Sequence, residues 1–208
     1  MRKTLADCPK GPNVEFAQPE VEAEVRRKLP KPEGPISVAA LRGLRSLNLS
    51  QVKLAELDVC VFSHMSGLKE VFLGSGDYDD LSPLAGATRI ESLRASLNQV
   101  RDLSPLAGMT KMDRLDLGRT QVVDLTPLAA MTKLSELQLD DTPVQDVAPL
   151  AKLTALETLS LKRTQVKDVS ALKNLKKLKF LYTNGSPLDA DPMSVAAVRA
   201  NGTKIIAE

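Results

Sequence analysis

The chain has 208 residues, with 28 lysines and arginines against 26 aspartates and glutamates, so its net charge of +2 gives no reason to expect a polyanionic partner. It contains no apolar run of about 18 residues, as a transmembrane helix needs, and no apolar stretch typical of a signal peptide follows its basic N-terminus. Aromatic residues make up only 3% of the chain, so each exposed aromatic side chain is informative.

Residues 1–15 are polar and contain Pro9, Gly11 and Pro12, which predicts an irregular N-terminal arm. The two cysteines of the chain are Cys8, in this arm, and Cys60. A disulfide between them would tether the arm to the first repeat and would imply an oxidising compartment. The alternative is two free thiols, with Cys60 serving as a small apolar residue. The sequence leaves both alternatives open.

Two short helices are predicted after the arm. Pro19 suits the first position of a helix, and Val21, Val25 and Leu29 recur at four-residue steps, which gives this helix one apolar face. The segment LPKPEGP then breaks the helix. Ser37 follows and is suited to cap a second helix, VAALRGL.

The rest of the chain repeats itself. The stretch MDRLDLGRTQVVDLTPLAAMTK, residues 112–133, is followed by two close copies, 134–155 and 156–177, with the same L-x-x-L-x-L opening. A fixed period of this length with this opening is the signature of a leucine-rich repeat solenoid. The first repeat is longer than the others, because its opening at Leu44 is followed by the next one only at Leu68. The openings begin at Leu44, Leu68, Ile90, Met112, Leu134, Leu156 and Leu178.

One further step of the same period from Leu178 places a degenerate eighth strand in the segment TKII. A helix is predicted before it, with Asp191 as its cap, Pro192 at its first position and Asn201-Gly202 at its end. The sequence therefore predicts an α/β solenoid with about eight parallel strands on a concave face and short turns on the convex side. Its predicted parts are the irregular arm 1–15, a helical N-terminal cap 16–43, the repeats 44–185 and a C-terminal cap 186–208.

The second half of each repeat, typified by D-L-S-P-L-A, must return the chain to the next strand. A serine or threonine before proline predicts a capping hydroxyl and one turn of 3₁₀ helix. An aspartate stands two residues before each of these positions or its equivalent in the other repeats. A row of carboxylates could hold cations, but we expect these ones to accept hydrogen bonds from amides of the turn. The aspartates are Asp80, Asp102, Asp124, Asp146 and Asp168.

The repeat text L-x-x-L-x-L-x-x-(N/T)-x-(V/I)-x-D-L-x-P-L-A resembles the internalin-like bacterial leucine-rich repeats, over residues 16–208. The helix FAQPEVEAEVRRKL is similar to the N-terminal cap segment of such proteins. The resemblance implies a right-handed, gently curved horseshoe that binds other proteins through its concave face, commonly at a bacterial cell surface. One departure concerns the asparagine expected after the strand. Only Asn98 is present, and Thr120, Thr142 and Thr164 take its place in later repeats.

Side chains alternate along a strand, which predicts two outward columns on the concave face. The first column is Ser46, Glu70, Ser92, Arg114, Glu136, Thr158 and Phe180. The second column is Asn48, Phe72, Arg94, Asp116, Gln138, Ser160 and Tyr182.

Residues one repeat apart should lie side by side on neighbouring strands, and in the middle of this face most charges then meet an opposite charge. Such pairs could simply neutralise one another or could present a charged mosaic to a partner. The alternation contradicts the uniformly basic face that nucleic acid would require. The expected neighbours are Arg94 with Asp116, Arg114 with Glu136, Asp140 with Lys162, and Asp141 with both Arg119 and Arg163.

Nothing in the sequence indicates catalysis. There is a single histidine, His64, no cysteine pair at metal-binding spacing and no glycine-rich phosphate loop, so we expect no enzyme activity, cofactor or metal. Exposed aromatic residues on a rigid sheet are candidates for interface anchors. The predicted partner-binding residues are Phe72, Arg94, Arg114, Asp116, Gln138, Phe180 and Tyr182.

The leading hypothesis is therefore a non-enzymatic module for protein–protein interaction, secreted or held at a bacterial surface after removal of a signal peptide. Two alternatives stay open. One is a cytoplasmic subunit that regulates an enzyme, and the other is the recognition part of a larger enzyme whose catalytic domain lies outside this chain. The sequence does not identify the partner, and no small-molecule substrate is expected.

Overall fold

The computed structural model describes residues 3–30, 33–190 and 193–207 and forms one sheet of eight parallel strands. The strands pair in sequence order and in the register of the repeats, which confirms the predicted leucine-rich repeat solenoid and its last strand in TKII. They are β1 (Ser46–Asn48), β2 (Glu70–Phe72), β3 (Ser92–Arg94), β4 (Arg114–Asp116), β5 (Glu136–Gln138), β6 (Thr158–Ser160), β7 (Phe180–Tyr182) and β8 (Lys204–Ile206).

Both predicted N-terminal helices are present, as α1 (Pro19–Lys28) and α2 (Val38–Gly43). Helix α1 buries Val21 and Val25 against the core, as its four-residue spacing predicts. The Ser37 hydroxyl accepts a hydrogen bond from an amide in the first turn of α2 at 3.1 Å. Helix α1 has 10 residues and is the longest described helix, whereas a membrane span needs about 20, so no described helix could cross a bilayer.

The N-terminal arm is fixed to the first repeat by a disulfide. The first repeat contains a one-turn helix, α3 (Val59–Phe62), and Cys60 of this helix bonds to Cys8, with 5.3 Å between the two Cα atoms. The two cysteines are therefore joined by a disulfide and are not free thiols. Near Cys8 the arm makes a 3₁₀ turn, Leu5–Asp7, that buries none of its residues. The covalent bond is therefore a main attachment of this part of the arm.

The core is filled from both sides of the solenoid. The inward apolar side chains of the strands meet leucines from the convex turns, so that Leu115, Leu117 and Leu128 of one repeat are all buried. Identical positions in successive repeats stack into one continuous core, because every repeat supplies the same inward positions.

Polar side chains secure the chain after the strands. The Asn98 amide donates to the Ala95 carbonyl at 2.7 Å and to the Tyr78 hydroxyl at 2.9 Å, while its oxygen accepts from the Val100 amide at 2.9 Å. The threonines that follow offer one hydroxyl each, which donates to the carbonyl three residues earlier at 2.6–2.7 Å. They are Thr120, Thr142 and Thr164.

The convex turns are 3₁₀ helices, as predicted, but the residue that caps them is different. In the turn after β2, the Ser82 amide donates to Asp80 Oδ1 at 2.7 Å, and the Ser82 hydroxyl donates to Asp80 Oδ2 at 2.9 Å. The prediction of a hydroxyl cap was wrong, because Ser82 is itself the first 3₁₀ residue and its hydroxyl is taken by the carboxylate. These turns are Ser82–Leu84, Ser104–Leu106, Thr126–Leu128, Ala148–Lys152 and Ser170–Asn174, and a further 3₁₀ turn is Pro187–Ala190.

The row of aspartates accepts amide hydrogen bonds in all five turns, which confirms the expected role. The carboxylate-to-amide distances are 2.7–2.8 Å. These bonds favour the ionised form, and the pKa values of Asp102, Asp124 and Asp168 lie below the ordinary aspartate value because of hydrogen bonds from Ser104, Thr126 and Ser170.

Stability should therefore fall in acid. A carboxyl group whose pKa is lower in the folded state stabilises the fold above its unfolded pKa, and this contribution is lost as the pH falls from about 4 through the folded value. We expect the urea midpoint to drop between pH 5 and pH 2, measured by circular dichroism. A triple variant with asparagine at Asp102, Asp124 and Asp168 keeps an acceptor but cannot titrate there, so its midpoint should change less over that range. An equal change in both proteins would contradict this role.

The C-terminal helix is shorter than the sequence predicts. It is α4 (Ala196–Arg199), and the predicted cap Asp191 and first residue Pro192 lie outside the described residues. Strand β8 follows α4 and pairs with β7 through the Lys204 amide and the Lys179 carbonyl at 2.8 Å.

Candidate functional site

The concave face carries a depression over the short side chain of Ser92. Ser92 is only 9% exposed, because longer side chains on the neighbouring strands shade it. The depression has a volume of about 190 Å³. Five of the seven predicted partner-binding residues line it, namely Phe72, Arg94, Arg114, Asp116 and Gln138.

One wall of this depression is held by interactions among its own side chains. The guanidinium of Arg94 lies over the Phe72 ring, 5.8 Å from the ring centroid. Arg94 Nε lies 3.2 Å from Asp116 Oδ2, as the repeat register predicts. The other oxygen of Asp116 accepts from the Gly118 amide at 3.0 Å. Phe72, Arg94 and Asp116 are thus fixed relative to one another.

The other two predicted residues lie apart from the depression. Phe180 and Tyr182 belong to β7, which is three strands from β4 and therefore about 14 Å away. Phe180 is 37% exposed, and the Lys162 ammonium lies 4.8 Å from the centroid of the Tyr182 ring. The structure therefore divides the predicted site into a depression around β3 and β4 and an aromatic pair on β7.

An ion-pair ladder runs along the exits of the strands. Asp141 lies between two arginines, 3.4 Å from Arg119 Nε and 2.6 Å from Arg163 Nη2. The hydrogen bonds from Arg163 lower the pKa of the Asp141 carboxyl, with a smaller contribution from Arg119, and the same contact raises the pKa of Arg163. Lys162 Nζ lies 3.8 Å from Asp140 Oδ2. These neighbours are confirmed.

Two ion pairs between neighbouring repeats were not predicted from the sequence, because they lie in the column that precedes the first outward one. Lys69 contacts Glu91 at 2.8 Å, and Lys179 contacts Glu157 at 2.7 Å. The hydrogen bond from each lysine lowers the pKa of its partner glutamate. The sequence does indicate these pairs, because the members of each pair are one repeat apart, like those of the other pairs. These exposed pairs extend the alternation of charge across the face.

A second missed feature is a row of left-handed backbone positions, each three residues after the end of a strand. Among the described residues, four that are not glycine have φ between 51° and 62°. Gly185 continues the row with φ 70°, which was the only hint in the sequence. Such a conformation costs about 1–2 kcal/mol in a residue with a Cβ atom, so the repeat structure imposes it. The four are Leu97, Arg119, Asp141 and Arg163.

The described part of the chain gives little support for metal binding or for catalysis by a histidine. No group of three potential ligands for a metal ion occurs among residues 3–30, 33–190 and 193–207. The single histidine, His64, is half-buried in the long first repeat. The concave face instead offers shape, aromatic rings and paired charges.

Comparison with known proteins identifies the fold of the chain. No family model and no curated protein sequence matches the chain. Among solved structures, the internalin inlF of Listeria monocytogenes superimposes over 92% of this chain with a TM-score of 0.80 and 23% identity. The internalin C2 of the same species does so over 91% of this chain and 83% of its own, with a TM-score of 0.79 and 29% identity. A leucine-rich repeat protein of Leptospira interrogans matches over 81% of this chain and 44% of its own, with a TM-score of 0.72 and 18% identity.

The fold is thus an internalin-like bacterial leucine-rich repeat fold, as the repeat text indicates. The chain spans 56% of the length of the inlF structure.

Proposed function

We propose that this internalin-like chain is a non-enzymatic module that binds another protein through its concave face. The observation that carries the proposal is the depression over Ser92, where Phe72, Arg94, Arg114, Asp116 and Gln138 converge from β2, β3, β4 and β5. A leucine-rich repeat sheet presents such residues on a rigid surface, which is the general use of solenoid proteins.

The contacts that hold the side chains of the concave face in place support a role in binding. Association costs the conformational freedom of the side chains that become ordered, about 0.5–1.5 kcal/mol for each long side chain. The stacking of Arg94 on Phe72 and its ion pair with Asp116 fix these side chains before a partner arrives. Lys162 lies over the Tyr182 ring and restricts that side chain in the same way. Binding through these residues would therefore lose less entropy than binding through free side chains.

We place the protein outside the cytoplasm, secreted or at a bacterial surface. The disulfide between Cys8 and Cys60 supports this location, because structural disulfides persist in oxidising compartments. The same bond argues against the alternative of a cytoplasmic regulatory subunit. Two of the similar structures are Listeria internalins, which is consistent with a bacterial origin of the fold.

The proposal predicts that the aromatic residues of the concave face anchor the partner. Once the partner is captured by crosslinking and identified, Phe72→Ala and Tyr182→Ala should each weaken binding by about 30-fold, measured by surface plasmon resonance. This loss corresponds to about 2 kcal/mol, the level of an interface hot spot.

The matched control is Val123→Ala. Val123 is also apolar and is 54% exposed, but it lies outside the two outward columns. Its variant should bind as the wild type does, and all variants should keep the wild-type unfolding midpoint. Unchanged affinity in both aromatic variants would reject the concave face as the binding surface.

A further inference from the structure

Arg114 differs from the other arginines of the concave face. Arg94, Arg119 and Arg163 each lie 3.4 Å or less from a carboxylate of a neighbouring repeat. The carboxylate beside Arg114 in the register belongs to Glu136, but the ion pair expected between them is absent from the described residues.

The structure shows why this predicted pair does not form. Glu136 Oε1 accepts a hydrogen bond from Gln138 Nε2, on its own strand, at 2.7 Å. Arg114 Nε instead lies 3.9 Å from Asp113 Oδ2, which is too long for a hydrogen bond. The Arg114 side chain remains 58% exposed. Its guanidinium therefore keeps donors that the protein itself does not use.

This guanidinium borders the depression over Ser92. At about 190 Å³, the depression is smaller than the 300–1,000 Å³ typical of small-molecule sites, so it suits a single side chain of a larger partner. Its floor is the small Ser92, and the fixed pair of Phe72 and Arg94 forms one wall. A side chain entering here would lie against Arg114.

The charges in the lining of the depression balance, but its unused hydrogen-bond donors favour an anionic acceptor. The two carboxylates in its lining already have partners: Asp116 is held by Arg94 and by the Gly118 amide, and Glu136 by Gln138. Of the two arginines in the lining, Arg94 lies 3.2 Å from Asp116, whereas Arg114 has only the 3.9 Å contact with Asp113. A planar guanidinium with free donors matches a carboxylate in two parallel hydrogen bonds, which are stronger than bonds between neutral groups.

We propose that the depression over Ser92 receives an aspartate or glutamate side chain of the protein partner, held by Arg114. This inference rests on the proposed function and adds the chemistry of the partner's contact residue. It does not require a net positive surface, because the recognition comes from a single guanidinium that donates no hydrogen bond to a carboxylate of the chain.

The test uses random linear peptides displayed on phage and selected on the whole folded chain. Peptides are kept if they bind the wild type and fail to bind Ser92→Trp, in which the indole would fill the depression. We expect this set to be enriched in aspartate and glutamate. Synthetic peptides from the set should bind Arg114→Gln about tenfold more weakly than the wild type, which is the loss of one charge-assisted contact.

Matched controls separate this contact from general electrostatics. Arg163→Gln removes an arginine of similar exposure, 53%, that is already paired with Asp141, and peptide binding should not change. Replacing the acidic residue of the peptide with its amide should weaken binding to the wild type by about tenfold and have little effect on binding to Arg114→Gln. That loss of additivity identifies the two groups as direct partners. Unfolding midpoints show that the variants remain folded.

Three results would overturn the inference. If the selected peptides show no acidic preference or a basic one, or if Arg114→Gln binds them as the wild type does, the acidic contact is wrong while the proposed function stands. If no peptide is excluded by Ser92→Trp, the depression is not a contact site. The Phe72 and Tyr182 variants, tested with the native partner, then decide the proposed function separately.

Discussion

Replacing Gly76 with alanine should lower the free energy of unfolding by about 3 kcal/mol or prevent folding. A Cβ atom at this position would lie 1.6 Å from the Leu54 carbonyl oxygen and 2.6 Å from the Leu54 carbonyl carbon. Both atoms are backbone, and Leu54 pairs with Gly76 in an isolated parallel bridge, so no side chain can move aside to relieve the clash. The urea midpoint, followed by circular dichroism, measures the loss.

Gly43→Ala is the control for this prediction. Gly43 is the last residue of α2, and a Cβ atom added there meets no atom within 4 Å. Alanine is favoured over glycine in a helix, so this variant should be as stable as the wild type or slightly more so. If Gly76→Ala were as stable as Gly43→Ala, the close approach of the first and second repeats would be wrong.

Removing the disulfide should have a comparable effect. Cys8 and Cys60 are separated by 52 residues, and closing a loop of that size in the unfolded chain is worth about 4 kcal/mol by the loop-entropy relation. Cys8→Ser is the cleaner variant, because Cys8 is half-exposed whereas Cys60 is buried. We expect its unfolding midpoint to fall by a corresponding amount in urea.

Reductant provides the internal comparison. A reducing agent should lower the midpoint of the wild type to that of Cys8→Ser and should leave the variant itself unchanged. Thiol titration of the unfolded, non-reduced wild type should find no free cysteine. Two titratable thiols, together with a midpoint that does not respond to reductant, would show that the bond does not form.

Much of the architecture followed from the sequence because it depends on spacing. A constant step along the chain returns the same positions to the core in each repeat, so the inward leucines, the strand register and the row of aspartates could all be read in order. The register also placed Arg94 beside Asp116 and Asp141 beside Arg163, since residues one repeat apart must be neighbours on adjacent strands.

The details that depend on individual side chains could not be read in this way. Arg114 has Glu136 as its register neighbour, yet Glu136 bonds within its own strand to Gln138, because a side chain takes whichever partner its rotamers reach. The depression exists because Ser92 is short where its neighbours are long. Neither the period nor the repeat text specifies these choices.

The sequence by itself determined the class of fold, the number of strands and which residues face outward, because these follow from the periodicity of apolar positions. The tertiary structure alone decided between a disulfide and free thiols, fixed the contact of Gly76 with Leu54, and left Arg114 without a carboxylate at hydrogen-bond distance. The disulfide depends on the distance between the arm and the first repeat, which the period does not relate. The other two features lie between neighbouring repeats, but they depend on how individual backbone and side-chain atoms pack there. These contacts are determined only in the folded chain.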